Sequence, residues 1–306
     1  MSASKQLCTK ALMVFCEGPH DVAFCNLVFG RLLKSTKFEN KFADFPAPLN
    51  DLFRTSLESH LLQDMSLDMA HKFFLPDSVL RLEQRNIEWL VLLFNCGGRD
   101  RIENPKGFLE NYLTLFEQAP VFPGQAKKII SESRYLFLYD VDDQQPQQVF
   151  DRFSQDFSAI SGESWITETP RLLNGFDNAA ATQDKAVYLW SHRSETNEVV
   201  VATLEDIVLP LFQLAQKEIS EKAETFVNNT FTWKLTDRSR KSRIALESKK
   251  KKAVIATLGQ RKKPGSSMNV ILEQSGLIKG EHLQKSPYVV IFGKFLAQFM
   301  ELEEAA

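Results

Sequence analysis

This 306-residue chain has little that would place it among oxidised, metal-thiolate or membrane-embedded proteins. Its four cysteines, Cys8, Cys16, Cys25 and Cys96, form no C-x-x-C pair. That argues against a zinc site and against a disulfide framework. Reduced core thiols in a cytoplasmic protein are the expectation. The five histidines, His20, His60, His71, His192 and His282, have no paired metal spacing, and no H-x-E motif occurs. No apolar stretch approaches the roughly 20 residues that span a bilayer. The longest, Trp89 to Phe94, is of strand length. The opening Met-Ser-Ala-Ser-Lys-Gln lacks the pattern of a signal peptide. There is no P-loop G-x-x-x-x-G-K-S/T, so the chain carries no Walker-type ATPase of its own. No internal repeat is present. Net charge is only −2, which by itself selects neither a nucleic acid nor a membrane as partner.

What is present is an ample apolar complement, 43% of residues, and a charge distribution that is far from even. Between Lys234 and Lys263 there are 12 Lys/Arg against 2 Asp/Glu, a local balance of +10. The rest holds 25 Lys/Arg against 37 Asp/Glu, a balance of −12. An acidic body therefore carries one basic segment.

Buried strands are expected at Leu12–Cys16, Ile87–Phe94, Tyr135–Tyr139 and Ala186–Trp190, because these runs are apolar without alternation. A short extra strand is expected at Val199–Ala202. Helices are expected at about Pro19–Lys34, Lys106–Glu117 and Gln145–Ile160, with further helices from Leu204 through Val227 and near Tyr288–Glu303. Residues 37–86 read as a helical insertion, with helices near Asp51–Asp64 and Asp77–Gln84. Alternating strands and helices argue for an α/β fold with a mostly parallel sheet flanked by helices. A helical C-terminal region, 206–306, would carry the basic segment 234–263.

Two of the strands end in acids: Ala11-Leu-Met-Val-Phe-Cys-Glu17-Gly18-Pro-His-Asp21 and Arg134-Tyr-Leu-Phe-Leu-Tyr-Asp140-Val-Asp142-Asp143. Side chains at strand carboxyl ends face the crevice where open α/β sheets bind ligands. Asp140 and Asp142, two apart on an extended chain, should share a side. Carboxylates held that close repel unless a proton or cation intervenes. The all-oxygen donor set suits Mg²⁺ or Mn²⁺, and such ions serve phosphodiester chemistry. Plainer alternatives stand beside each residue. Asp21 complements a helix dipole, Asp143 caps the next helix, Gly97-Gly98 is a plain turn, and His20 is a surface side chain.

Glu17-Gly18-x-x-Asp21 after the first strand, with Asp140-x-Asp142 after the third, resembles the Toprim domain of topoisomerases, bacterial primases and nucleases of the overcoming-lysogenization-defect type. The resemblance covers about residues 8–36 and 87–205, and the catalytic core it implies spans 1–36 and 87–205. It implies a metal-dependent nuclease whose Glu17, Asp140 and Asp142 surround one or two Mg²⁺ or Mn²⁺ ions. A two-ion site would hold the scissile phosphate between the metals. It also implies a downstream acid, for which Glu205 in Thr203-Leu-Glu205-Asp206 stands, and a basic residue from Lys249–Lys252, assigned to Lys251. Stand-alone Toprim proteins imply an effector of bacterial anti-phage defence, working with a separate sensor or ATPase.

The basic segment, with Arg238, Arg240, Lys241, Arg243, Lys249, Lys250 and Lys252, suits a DNA or RNA phosphate backbone and reads no bases. Phe231 and Trp233 lie just upstream of it. Two other classes stay open. One is a non-catalytic Toprim-fold module binding nucleic acid or protein. The other is a nucleotide-sugar transferase, since Asp140-x-Asp142 resembles its metal motif; that family leaves Glu17-Gly18-x-x-Asp21 unexplained.

Overall fold

The structure, a computed structural model, describes residues 8–39, 41, 44–61, 74–118, 129–166, 171–173, 175–193 and 199–303. The first part of the chain forms β1 (Cys8–Cys16), α1 (Pro19–Arg31), β2 (Thr36–Lys37), α2 (Leu49–Leu61), β3 (Ser78–Gln84), β4 (Ile87–Asn95) and α3 (Glu103–Gln118). Then come β5 (Ile130–Asp140), α4 (Pro146–Asp156), β6 (Ala159–Ile160), β7 (Glu163–Ser164), β8 (Arg171–Leu172), β9 (Ala179–Ala181), β10 (Lys185–Trp190), β11 (His192–Arg193) and β12 (Val199–Val201). The remainder is helical: α5 (Glu205–Ala215), α6 (Lys217–Thr230), α7 (Arg240–Gln260), α8 (Met268–Gln274), α9 (Gly280–Lys285) and α10 (Pro287–Phe299).

Eight strands form one sheet in the order β2-β3-β4-β1-β5-β10-β9-β8. β4, β1, β5 and β10 are mutually parallel, and the outer strands are antiparallel. The fold is therefore α/β, with a mostly parallel central sheet flanked by helices. The chain leaves β1 for β4 on one side and then crosses to β5 on the other, so strand order reverses between β1 and β5. At such a switch point the two loops leaving the strands part and open a crevice at the strand carboxyl ends.

The apolar run of β1 is buried on both faces, as its lack of alternation predicts. Leu12, Val14 and Cys16 join one core with α1, α5 and the C-terminal helices. Ala11, Met13 and Phe15 join the other, under α2, α3 and α4. Phe137 centres the second core, ringed by Phe15, Phe153 and Phe157 at 4.6–4.8 Å between centroids. In the first core Phe292 of α10 packs on Tyr188 and Trp190 of β10 at 4.8 and 4.9 Å.

Three expectations are corrected. Residues 78–84 form strand β3, paired antiparallel with β4 over Ser78↔Leu93 to Gln84↔Ile87, and not a helix. Among the described residues the 37–86 segment is thus one helix and a strand ribbon, and residues 62–64 of the expected Asp51–Asp64 helix lie outside them. The helix expected through Ile160 stops at Asp156, because Ser161 and Gly162 adopt positive φ and turn β6 into β7. The first helix ends at Arg31, short of Lys34, which is itself left-handed at φ 61°.

The C-terminal helices pack tightly. A Cβ on Gly259 of α7 would fall inside the Ile271 side chain of α8. Gly259→Val should cost about 1–3 kcal/mol, read as a lower urea midpoint. An unchanged midpoint would contradict this α7–α8 packing.

Candidate active site

The site begins where β1 stops. Cys16 is the last strand residue, and Pro19 opens α1, leaving Glu17-Gly18 as the link. The Gly18 N–H donates to Asp21 Oδ2 at 3.0 Å, a reach-back from the third helical position. Asp21 is only 7% exposed, and its Oδ1 accepts from Trp190 Nε1 at 2.8 Å. It therefore does more than complement the helix dipole: it ties α1 to the end of β10. Burial, then the Glu17 charge, pushes its carboxyl up to about 7.

Glu17 is fixed from two sides. Its carbonyl accepts from Gly98 N–H at 2.8 Å, and its Oε2 accepts from Asp140 N–H at 3.3 Å. Gly97 and Gly98 have φ of 77° and 120°, conformations open to glycine. The Gly-Gly pair is thus a turn that also borders the site. Burial raises the Glu17 pKa; the Asp140 N–H opposes this, and Asp142 adds to it.

Asp140 ends β5, and its Oδ1 accepts from Leu204 N–H at 2.8 Å. Val141 and Asp142 N–H groups both donate to the Ala202 carbonyl at 3.0 Å. Asp142 has φ 53°, so it stands in a turn beyond the strand and does not alternate along it with Asp140. The shared-side expectation fails in its stated form. Asp142 is nonetheless near enough to raise the pKa of both Glu17 and Asp140. Burial, then Asp21, Glu17 and Glu205, pushes the Asp140 carboxyl well above its usual range. Asp142 is raised by burial and opposed by Arg99. Asp143 does not cap the next helix, whose N-cap is Gln145.

The loop from β12 to α5 brings Glu205 in. Asp206 accepts from the N–H groups of Ala202 and Thr203 at 2.8 and 2.9 Å, which tightens the turn. Glu205 opens α5 and is 3% exposed. It accepts from Ser248 Oγ at 2.9 Å and faces Lys252 Nζ at 3.4 Å. Lys251 pairs with Asp206, outside the acid cluster. Lys252 is therefore the lysine of that run that faces a site acid. Lys250 pairs with Glu247 at 2.8 Å. His20 is half-buried beside Lys252 and Glu205, more enclosed than a surface histidine, and burial, then Lys252, lowers its pKa.

A cleft of about 480 Å³ opens here. Glu17, Asp142, Asp143 and the Gly97–Gly98 turn border it, together with four cations, Arg99, Arg101, Arg152 and Lys241. Asp21, Asp140 and Glu205 do not line it. Of the basic segment, Lys241 reaches the cleft; Arg238, Arg240, Arg243 and Lys249 are exposed elsewhere. The arginines were not singled out by sequence reasoning. Arg99 donates to the Asp140 carbonyl at 3.2 Å and to Gln144 Oε1 at 2.6 Å. Arg152 holds Asp100 at 2.6 Å. Their one sequence signal is Arg99 after a glycine pair at a strand end.

Among the described residues no group of three or more His, Cys, Asp or Glu is set out as a metal-ion site. Glu17, Asp21, Asp140 and Glu205 instead turn oxygens to protein donors. The chemistry of the set, oxygen donors only and mutually repelling, still fits a hard divalent cation. Trp190→Phe tests the packing at Asp21. Removing the indole donor should cost about 1–3 kcal/mol, read as a lower denaturation midpoint; no loss would contradict the buried bond.

No family model and no curated protein matches the chain. Among solved structures it is similar to a hypothetical protein from Pyrococcus horikoshii OT3, at 14% identity and a TM-score of 0.39, over 95% of this chain and 97% of that one. Among the described residues no helix is long and apolar enough to cross a membrane.

Proposed function

We propose that the chain is a divalent-metal-dependent nuclease of Toprim type that hydrolyses DNA or RNA phosphodiester bonds. The observation that carries this reading is the acid cluster at the β1/β5 switch point, where burial and neighbouring acids, Glu205 among them, raise the carboxyls of Glu17, Asp21, Asp140 and Asp142. Carboxylates gathered this way are held above their ordinary pKa until a cation compensates them. Glu17, Asp140 and Asp142 would hold Mg²⁺ or Mn²⁺, with Glu205 as a further acid. A bound ion supplies Lewis-acid polarisation of a phosphoryl oxygen and a coordinated water of lowered pKa.

The chain's own part is positioning. Asp21, neutralised easily and tied to Trp190, keeps α1 seated under Glu17. Arg99, Arg101, Arg152 and Lys241 line the cleft with the acids and suit phosphate oxygens, the arginines through a planar fork. Arg238, Arg240, Arg243 and Lys249 are exposed for contacts farther along a backbone.

A second reading is a non-catalytic Toprim-fold binding module. It is favoured by the protein partners already on the acids: Leu204 N–H on Asp140, and Ser248 and Lys252 on Glu205. An anti-phage effector role beside a separate sensor ATPase is proposed by family analogy alone. Co-purification with such a partner tests it.

The test of the main reading is incubation of the purified protein with plasmid DNA, single-stranded DNA and total tRNA, in Mg²⁺, Mn²⁺ or EDTA. Cutting that EDTA abolishes is the expected result. Salt-sensitive binding without cutting supports the second reading in its nucleic-acid form, and neither binding nor cutting overturns the main reading and that form alike.

A further inference from the structure

The end of α6 carries an aromatic cluster that no core uses in full. Phe226 is 50% and Phe231 48% exposed. Their rings meet edge to face, 5.8 Å apart at 85°, and Phe231 meets Trp233 at 6.1 Å and 70°. Trp233 is half-buried, and its Nε1 donates to the Val227 carbonyl at 3.2 Å. One ring is thereby anchored to the helix end, and two stand out from it. Exposed large apolar side chains are few among the described residues, and these are the aromatic ones.

The chain turns cationic just past the cluster. Lys234, Arg238, Arg240, Lys241 and Arg243 are all exposed. Lys241 lines the acidic cleft. Seven residues lie between Trp233 and Lys241, eight chain steps with a reach of at most about 28 Å. A short cationic stretch of chain thus joins the rings to the cleft.

We propose that the rings and these cations bind a single-stranded stretch of nucleic acid, its phosphates on the cations and unpaired bases on Phe226 and Phe231. The inference rests on the nucleic-acid reading above and names its substrate class. An aromatic face takes a base only when the base is free of its own stack and pair, so the rings select single strand over duplex. Phe226 stands beside Glu218, Glu221 and Lys222, while Phe231 leads into the cationic stretch, whose charge argues for a polyanion over an apolar protein partner. The same chemistry is offered by DNA and RNA.

Binding is measured on the full chain in EDTA, where no metal-dependent cutting can intervene. The probes are fluorescent 12-nucleotide single-stranded DNA, single-stranded RNA of the same sequence, and the matching duplexes. The expected result is tighter binding of single strands than duplexes. Phe226→Ala and Phe231→Ala should each weaken it about 5- to 100-fold. Phe226→Tyr, which keeps a stacking face, should bind within a few-fold of wild type. The DNA and RNA arms say which strand is preferred. Equal binding of duplex and single strand, or Phe→Ala variants that bind single strands as wild type does, overturns the inference. No binding by any probe overturns it too. The nuclease reading stands apart, since cutting of plasmid and tRNA in Mg²⁺ is scored separately.

Discussion

Glu17→Ala should lower metal-dependent cleavage by at least about 100-fold. Even outer partners of a metal site cost 10- to 100-fold when removed, and a direct ligand costs no less. Glu17 is suited to this test because its carboxylate accepts one long bond, 3.3 Å from the Asp140 N–H, and supports little else. The variant should stay folded, and removing one of several crowded carboxylates even relieves repulsion on Asp21 and Asp140. Asp140→Asn should lose activity to a similar extent, while its remaining oxygen still accepts from Leu204 N–H. Initial rates in Mg²⁺, beside denaturant midpoints for each variant, check both. Full cleavage by a Glu17→Ala, Asp140→Asn double variant contradicts the assignment.

The second large effect is on stability and has the same crowding as its cause. Glu17, Asp21, Asp140 and Asp142 all have raised pKa values in the fold, Asp21 to about 7. A raised carboxyl binds its proton more tightly folded than unfolded. Its contribution is present below the unfolded value and lost as pH rises through the folded one. In EDTA, Tm should therefore fall as pH rises through about 7, the folded value of Asp21. His20 and His192, whose pKa values burial lowers, act in the opposite sense, but mainly below about 6.5. Mg²⁺ should restore Tm most at about pH 8.5, where the acids are charged. An ion at 100 times its Kd adds about 2.7 kcal/mol. A Tm that is flat in EDTA and indifferent to Mg²⁺ contradicts a cation-binding acid cluster.

The framework was legible wherever burial is two-sided. β1, β4, β5 and β10 are apolar runs, and all four lie within the parallel centre of the sheet. The edge was harder to read. In β3, Leu80 and Leu82 are buried, while Glu83 is exposed and the half-buried Arg81 pairs with it at 2.6 Å and with the buried Glu88 at 2.5 Å. That is a period of two, hidden in a short segment whose charges also fit a helix. Ser161-Gly162 was a readable turn that the helical pattern of α4 obscured.

At the site, Glu17, Asp140 and Glu205 were visible as acids beside strand ends. The contacts that bring them together were not. The turn at 202–206 is laced to 140–142 by two backbone bonds to the Ala202 carbonyl and by the Leu204 N–H on Asp140, and no feature of residues 202–204 announces these partners. Lys252 and Ser248, four residues apart, both face Glu205, while Lys251 turns to Asp206; helical phase decides this within a uniform run of lysines. Arg99 meets Asp140 across 41 positions, which only the crossover around β1 brings close.

Crystals grown with Mn²⁺, probed by anomalous diffraction, test the central claim most directly. A manganese peak is expected, ligated by Glu17 and Asp140 at the carboxyl ends of β1 and β5 and absent from crystals of the Glu17→Ala variant. An intact wild-type structure with no peak there, its Asp140 still turned to Leu204 and its Glu17 to the β5 backbone, would contradict it.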